Sequence, residues 1–119
     1  NWTEGEKHFR NCLLDFNKAN NVAQWQWVAG CGADAAPYFR IFNPILQGEK
    51  FDKEGLYVKK WVAELSKVPN KFIHKPWEME LKYQEAIKTI IGKDYPKPIV
   101  IHEKARASAL EAFQSLKKK

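Results

Sequence analysis

Apolar positions recur at three- and four-residue spacing along most of the chain, and this spacing predicts a succession of helices. Phe9, Cys12, Leu13 and Phe16 follow Thr3-x-x-Glu6, a capping-box pattern, and together predict a helix from about Glu4 to Asp15, with Trp2 just outside it. A second helix is expected to begin near Asn21, capped by Asn20, and to end at Gly30 and Gly32. On it Asn21 and Trp25, four apart, share one face. Trp27 does not, because two helical positions turn through roughly 200° and send the two indoles to nearly opposite sides.

Beyond the glycines, Asp34 is expected to cap a short turn before Pro37, and Tyr38, Phe39, Ile41 and Phe42 make an aromatic and apolar patch around Arg40. Asn43-Pro44 reads as cap and first helical position of a short helix closed by Gly48, with a loop at Lys50, Phe51 and Asp52. Leu56, Val58, Trp61, Val62 and Leu65 predict a helix from Gly55 to Leu65 packed by Trp61, its Lys59 and Lys60 exposed. Pro69, His74, Pro76 and Trp77 mark an irregular connector in which His74 makes a local hydrogen bond. Met79, Leu81, Tyr83, Ile87, Ile90 and Ile91 predict a further helix from about Trp77 to Ile91, stopped at Gly92. Tyr95-Pro96-Lys97-Pro98 is an extended link. The terminal helix runs from His102 to about Leu116, burying Ala105, Ala109, Leu110, Phe113 and Leu116, with lysines at the negative pole of its dipole. No run alternates with period two for long enough to demand a strand, so the expected class is all-α, without internal repeats or low-complexity tracts.

Length and charge narrow this picture. A chain of 119 residues is one domain at most, and folding at this size buries about two-thirds of the surface of the unfolded chain. The net charge of +6 and pI near 9.3 favour a polyanionic partner, although the same charge suits an ordinary solvated surface. Cys12 and Cys31 stand nineteen apart with no Cys-x-x-Cys and no paired histidines, so they read as reduced core thiols rather than as metal ligands or a disulfide. No apolar run approaches the roughly twenty residues of a membrane span, and no signal peptide is visible; the expectation is a soluble cytoplasmic protein with neither metal nor membrane among its partners.

One motif is far more specific. Trp25-Gln26-Trp27-Val28-Ala29-Gly30, then Gly32-Ala33-Asp34-Ala35-Ala36-Pro37-Tyr38-Phe39-Arg40-Ile41-Phe42-Asn43-Pro44, resembles the flavin-binding helical domain of class I cyclobutane pyrimidine dimer photolyases. The likeness continues through Gln47 to Asp52, Gly55, Tyr57, Trp61, Glu64-Leu65 and Pro69, and resumes at His74-Lys75-Pro76-Trp77 and at Tyr95-Pro96. It implies that residues 1–119 are the carboxyl-terminal portion of the FAD- and DNA-binding helical domain of a larger enzyme, with the antenna domain and the upstream half of the flavin site lying outside this chain. The implied activity is light-dependent DNA repair, in which photoexcited reduced FAD splits pyrimidine dimers by electron transfer. An antenna chromophore would be bound elsewhere.

By the same resemblance, Asn21 stands beside flavin N5, and Asp15 matches an acidic residue paired with an upstream arginine. Asn17 departs from the family, which commonly has a second aspartate there; as a cofactor-binding residue it is expected to meet the flavin pyrimidine edge through its backbone, while its neutral side chain does not suit a role that needs a carboxylate. Trp25 and Trp2 match the flavin-proximal and middle members of a three-indole electron relay. Trp27 matches the indole that stacks on the flipped dimer, and Arg40 and Lys50 border the DNA face, where phosphate contact is expected. Plainer readings stay open: Trp2 as a hydrophobic staple, Asn and Asp as helix caps, Arg40 bracing Asp34. Two other functions also compete, a cryptochrome-type photoreceptor and a cofactor-free basic helical module; Trp27 and the Trp-Gln-Trp string favour repair. Because upstream residues enclose the flavin in the family, the isolated chain is expected to bind FAD weakly or not at all, which flavin fluorescence would test, and to self-associate through exposed apolar surface.

Overall fold

The computed structural model describes residues 1–35 and 39–117. Among these it contains six α-helices: α1 (Trp2–Cys12), α2 (Lys18–Ala29), α3 (Pro44–Phe51), α4 (Leu56–Trp61), α5 (Leu81–Ala86) and α6 (His102–Lys117). Three single 3-10 turns, Ala63–Leu65, Asn70–Phe72 and Pro76–Glu78, connect α4 to α5. The only extended pairing among the described residues is an isolated bridge between Ile91 and Tyr95, so the chain is all-helical as expected. It divides into two compact units, Asn1–Ile41 and Phe42–Lys119. No helix among the described residues is long and apolar enough to cross a membrane.

In the first unit, α1 and α2 pack together as a helical hairpin. The start of α1 differs from expectation. Asn1, not Thr3, is the cap: its side-chain oxygen accepts from the Thr3 N–H at 3.1 Å, which places Trp2 inside the helix and frees Glu6 from the capping box. The cap of α2 is likewise Asn17 rather than Asn20, with Asn17 Oδ1 accepting the Asn20 N–H at 3.1 Å, so α2 begins three residues earlier than the pattern suggested. Gly30 closes α2 in the left-handed conformation, φ 71°, as its position predicted. Neither cysteine is a core thiol; Cys12 is exposed and Cys31 half-buried, and both are free. The expected turn at Pro37 and the contribution of Tyr38 to the aromatic patch lie outside the described residues.

The second unit holds a small core of Leu65, Val68, Ile73 and Met79, ringed by Val58, Val62, Phe72, Ile87 and Tyr95. Asn43 caps α3 with Pro44 at its first position, as read from the sequence. The helix does not stop at Gly48, however. It runs on to Phe51, and the missing Cβ leaves room for the His74 imidazole, which lies against that glycine. His74 Nε2 donates to the Asp52 carbonyl at 2.6 Å, a bond to a residue twenty-two positions earlier rather than the local one expected. Asp52 in turn accepts the Tyr57 and Val58 N–H groups at 3.2 and 3.3 Å, capping α4 from outside the helix. That helix is shorter than predicted, and Trp61 is 65% exposed rather than its packing centre; Leu65 takes that place.

The helix expected over Trp77 to Ile91 is broken into a 3-10 turn and the six residues of α5. The cause is Gln84. Its buried amide donates to the Met79 carbonyl at 2.7 Å and accepts the Ile91 N–H at 2.9 Å, fixing a non-helical backbone on both sides. Lys88, with φ 55°, makes the same interruption visible in the chain itself. The link at Tyr95 is tied back by Gly92 N–H to the Tyr95 carbonyl, 2.6 Å. α6 forms as predicted, but its expected core face is only half-covered at Ala109, Leu110 and Phe113, and Leu116 is 70% exposed.

Candidate functional site

Two cavities open on α2, and they divide the tryptophans between them. The first, about 490 Å³, is lined by Phe9 and Leu13 of the first segment, by Asp15 and Asn17 of the connection, and by Asn20, Asn21, Gln24, Trp25 and Val28 along one face of α2. Positions 17, 20, 21, 24, 25 and 28 follow the three- and four-residue spacing of a single helical face. Its walls are apolar and its rim carries amides and one carboxylate. Among the described residues of this unit no apolar side chain is fully buried, so the apolar wall remains open.

Trp25 is held from behind. Its six-membered ring lies over Gly5 of α1, where any side chain would collide with it, and Phe9 meets it edge-on with ring centroids 5.0 Å apart. Trp2, half-buried, sits one turn before Gly5 on α1. Asn21 is buried and its Nδ2 donates twice to Glu6 of α1, to the backbone carbonyl at 3.0 Å and to Oε1 at 3.2 Å. Arg10 clasps the same carboxylate from the other side through Nε, 3.2 Å, and Nη2, 2.5 Å. The Arg10 guanidinium holds the Glu6 carboxyl below its ordinary pKa; the Asn21 amide and the Lys18 charge act in the same direction, and burial opposes them.

The second cavity, about 410 Å³, is lined by Ala23, Gln24, Gln26, Trp27, Cys31, Ala33 and Asp34. The guanidinium of Arg40 stands 5.7 Å over the Trp27 ring, within cation–π range. An indole with a cation over it and amides beside it can offer a flat, electron-rich surface to an aromatic ligand.

The structure therefore brings Asp15, Asn17, Asn21 and Trp25 to one cleft and places Trp27 at another, the separation expected from helical geometry. Asn17 is engaged by its capping bond. Lys50 belongs to the second unit, on α3, where its ammonium lies 5.1 Å from the Phe51 ring. Sequence reasoning missed Phe9, Leu13, Asn20, Gln24 and Val28 as lining residues, although continuing the spacing from Asn21 and Trp25 names the α2 members. It also missed Glu6. The signal was present as an i, i+4 pair with Arg10, but the capping-box reading had already claimed that residue.

A helical hairpin with an amide-rimmed apolar cleft on one side and a cation-covered indole on the other defines a helical domain built to hold a flat heteroaromatic group. The chain belongs to the family of the FAD binding domain of DNA photolyase, whose model matches residues 1–115. It is 56% identical over 117 residues to the deoxyribodipyrimidine photo-lyase of Agrobacterium fabrum, covering 98% of this chain and 24% of that protein. A solved class III photolyase from Agrobacterium tumefaciens superposes with a TM-score of 0.89 at 55% identity, over 100% of this chain and 25% of that one. A cryptochrome from Synechocystis sp. PCC6803 gives a TM-score of 0.84 at 33% identity, over 92% and 23%. The resemblance had pointed to class I; the Agrobacterium structure is described as class III, and the family is common to both readings. The chain spans about a quarter of the length of the curated relatives it matches.

The residues present fit the family's cofactor. A flavin ring system is flat, apolar at one end and studded with hydrogen-bonding atoms along the other, and the first cleft pairs Phe9, Leu13, Trp25 and Val28 with Asp15, Asn20, Asn21 and Gln24 in that manner.

Proposed function

We propose that this chain supplies one wall of the FAD site and the lesion-facing indole of a deoxyribodipyrimidine photolyase, an enzyme that splits pyrimidine dimers in DNA under light. The observation that carries the reading is the division of labour on α2, with Asn21 and Trp25 facing one cavity and Trp27 the other. When bound, the reduced flavin supplies the electron that opens the dimer.

The chain's own residues bind, orient and relay. Asn21 and Asp15 meet the polar edge of the ring system, and Asn17 contributes its backbone there while its side chain caps α2. Trp25, fixed by Gly5 and Phe9, is the indole next to the cofactor, and Trp2 on α1 passes electrons toward it from outside. Trp27 stacks on the extruded dimer, with Arg40 holding the indole from its other face or reaching a phosphate, and Lys50 makes a sequence-independent phosphate contact. Damage selectivity follows because a lesion is less costly to extrude than an intact pair, while stacking is worth about 1–3 kcal/mol.

The test uses the full-length protein that carries this chain. Dimer splitting should require blue or near-ultraviolet light, and Trp27→Ala should weaken dimer binding by roughly five- to a hundredfold. Unchanged dimer affinity in that variant would remove Trp27 from the lesion site. The likeness to a cryptochrome supports a second reading, a flavin photoreceptor that signals without repair; it predicts light-dependent flavin chemistry with no dimer splitting.

A further inference from the structure

Among the described residues, Gln24 alone lines both the cleft of Trp25 and the cavity of Trp27. Helical geometry accounts for it. Three positions turn through about 300°, so Gln24 stands about 60° around α2 from Asn21 on one side and from Trp27 on the other. Its side chain is exposed, and its carboxamide has no hydrogen-bond partner among the described residues.

The second cavity offers a stacking surface but few donors. A thymine laid on the Trp27 face presents along its edge two carbonyl oxygens, which accept, with an N–H between them. Trp27 cannot serve those carbonyls while its ring face is stacked, because its own N–H lies in the ring plane. The Asp34 carboxylate only accepts, which suits the base N–H, and the Cys31 thiol is a weak donor. Arg40 stands over the indole and is not among the residues lining the cavity. Two amides remain. Gln26 is folded back over Gly32, where a Cβ would stand 2.8 Å from its Oε1 and 3.2 Å from its Cβ. Gln24 is then the strong side-chain donor left at the border of the cavity.

We propose that Gln24 is a lesion-specificity residue, whose NH₂ group donates to a carbonyl of the dimer stacked on Trp27 from the side where the flavin cleft adjoins. The proposal rests on reading the second cavity as the lesion site. An amide carries its oxygen beside its nitrogen, so the same group keeps an acceptor toward the cleft. Bases that stay in the duplex never reach Gln24, and the bond therefore counts only for an extruded lesion.

Gln24→Leu in the full-length, FAD-loaded protein removes the donor and keeps the helix propensity. The probe is an oligonucleotide carrying one thymine dimer, titrated in the dark so that no splitting occurs. Its affinity should fall roughly two- to tenfold, the range for one neutral hydrogen bond, while affinity for the same oligonucleotide without the lesion stays unchanged. Gln24→Glu keeps the shape but presents only acceptors; its preference for the dimer over undamaged DNA should fall at least as far. Infrared spectra of dimers with isotopically labelled carbonyls separate a direct contact from a structural one. One carbonyl stretch should lie at lower frequency in the wild-type complex and return toward the unbonded value in Gln24→Leu. Unchanged dimer affinity, or a weakened affinity with that frequency unmoved, overturns the proposal and leaves Trp27 at the lesion site. A variant that loses FAD yet keeps both dimer readouts also overturns it, because the amide would then serve the cleft alone. Wild-type protein with no preference for the dimer over undamaged DNA overturns the proposal together with the lesion reading.

Discussion

The placement of Trp25 depends on a glycine at the end of the first turn of α1, and Gly5→Ala puts two opposed effects in competition. In a helix interior the substitution stabilises by about 1 kcal/mol, because alanine loses less backbone freedom than glycine on folding. Against this, a methyl group at Gly5 would lie 2.8 Å from Cζ2 of Trp25 and closer still to Cη2 and Cζ3. The indole is rigid, so it can make room only by swinging as a whole. Overpacking of this kind costs about 1–3 kcal/mol, and the swing also forfeits the edge contact with Phe9, worth about 0.5–1.5 kcal/mol. The clash wins, and we expect Gly5→Ala to destabilise the protein by about 0.5–3.5 kcal/mol. Urea unfolding followed by tryptophan emission is the assay; for a small protein this loss lowers the midpoint by about 1 M. The emission of the folded variant should also shift to longer wavelength as the ring moves into water. A midpoint that rises, by the amount helix propensity alone predicts, would show that the Trp25 ring does not rest on Gly5 and would undo the account of how that indole is aimed.

Other expectations follow from the hydrogen bonds. Asn17→Ala should cost about 1 kcal/mol in urea unfolding and Asn20→Ala nearly nothing, since only Asn17 caps α2; equal losses would return the cap to Asn20. Gln84→Ala strips the Met79 carbonyl and the Ile91 N–H of their partner and should cost about 2–4 kcal/mol, with faster exchange at the Ile91 amide; a loss below that range would mean water replaces the side chain. Because the Glu6 carboxyl sits below its ordinary value of 4.5 in the folded state, its contribution to stability is present above about pH 4.5 and is lost as pH falls through the depressed value. Unfolding midpoints measured from about pH 7 down to about pH 3 should therefore fall less steeply for Glu6→Gln than for the wild type, and identical slopes would mean that the carboxylate is not held ionised by Arg10.

Read from one sequence, the chain already declared what local geometry controls. The 3.6-residue period alone separates Trp25 from Trp27 and joins Asn21 to Trp25, and the folded chain keeps that arrangement. Asn43-Pro44 and Gly30 marked their helix ends for equally local reasons, a capping oxygen and a left-handed backbone. Where the reading failed, a side-chain contact that the apolar period does not register had intervened. Gln84 reaches two backbone groups and cuts a helix that the apolar period would have continued; His74 rests on Gly48 and lets α3 run past a residue that looked like its end. Trp61 had the right register for a core but ended largely exposed. Glu6 shows the limit most clearly. Its neighbours in sequence allowed a capping box, and only the approach of α2 turned it into a buried acceptor for Asn21. Periodicity determines which way a side chain leaves its own helix; which group it meets there depends on how a second helix packs, and that contact is settled only by the folded chain as a whole.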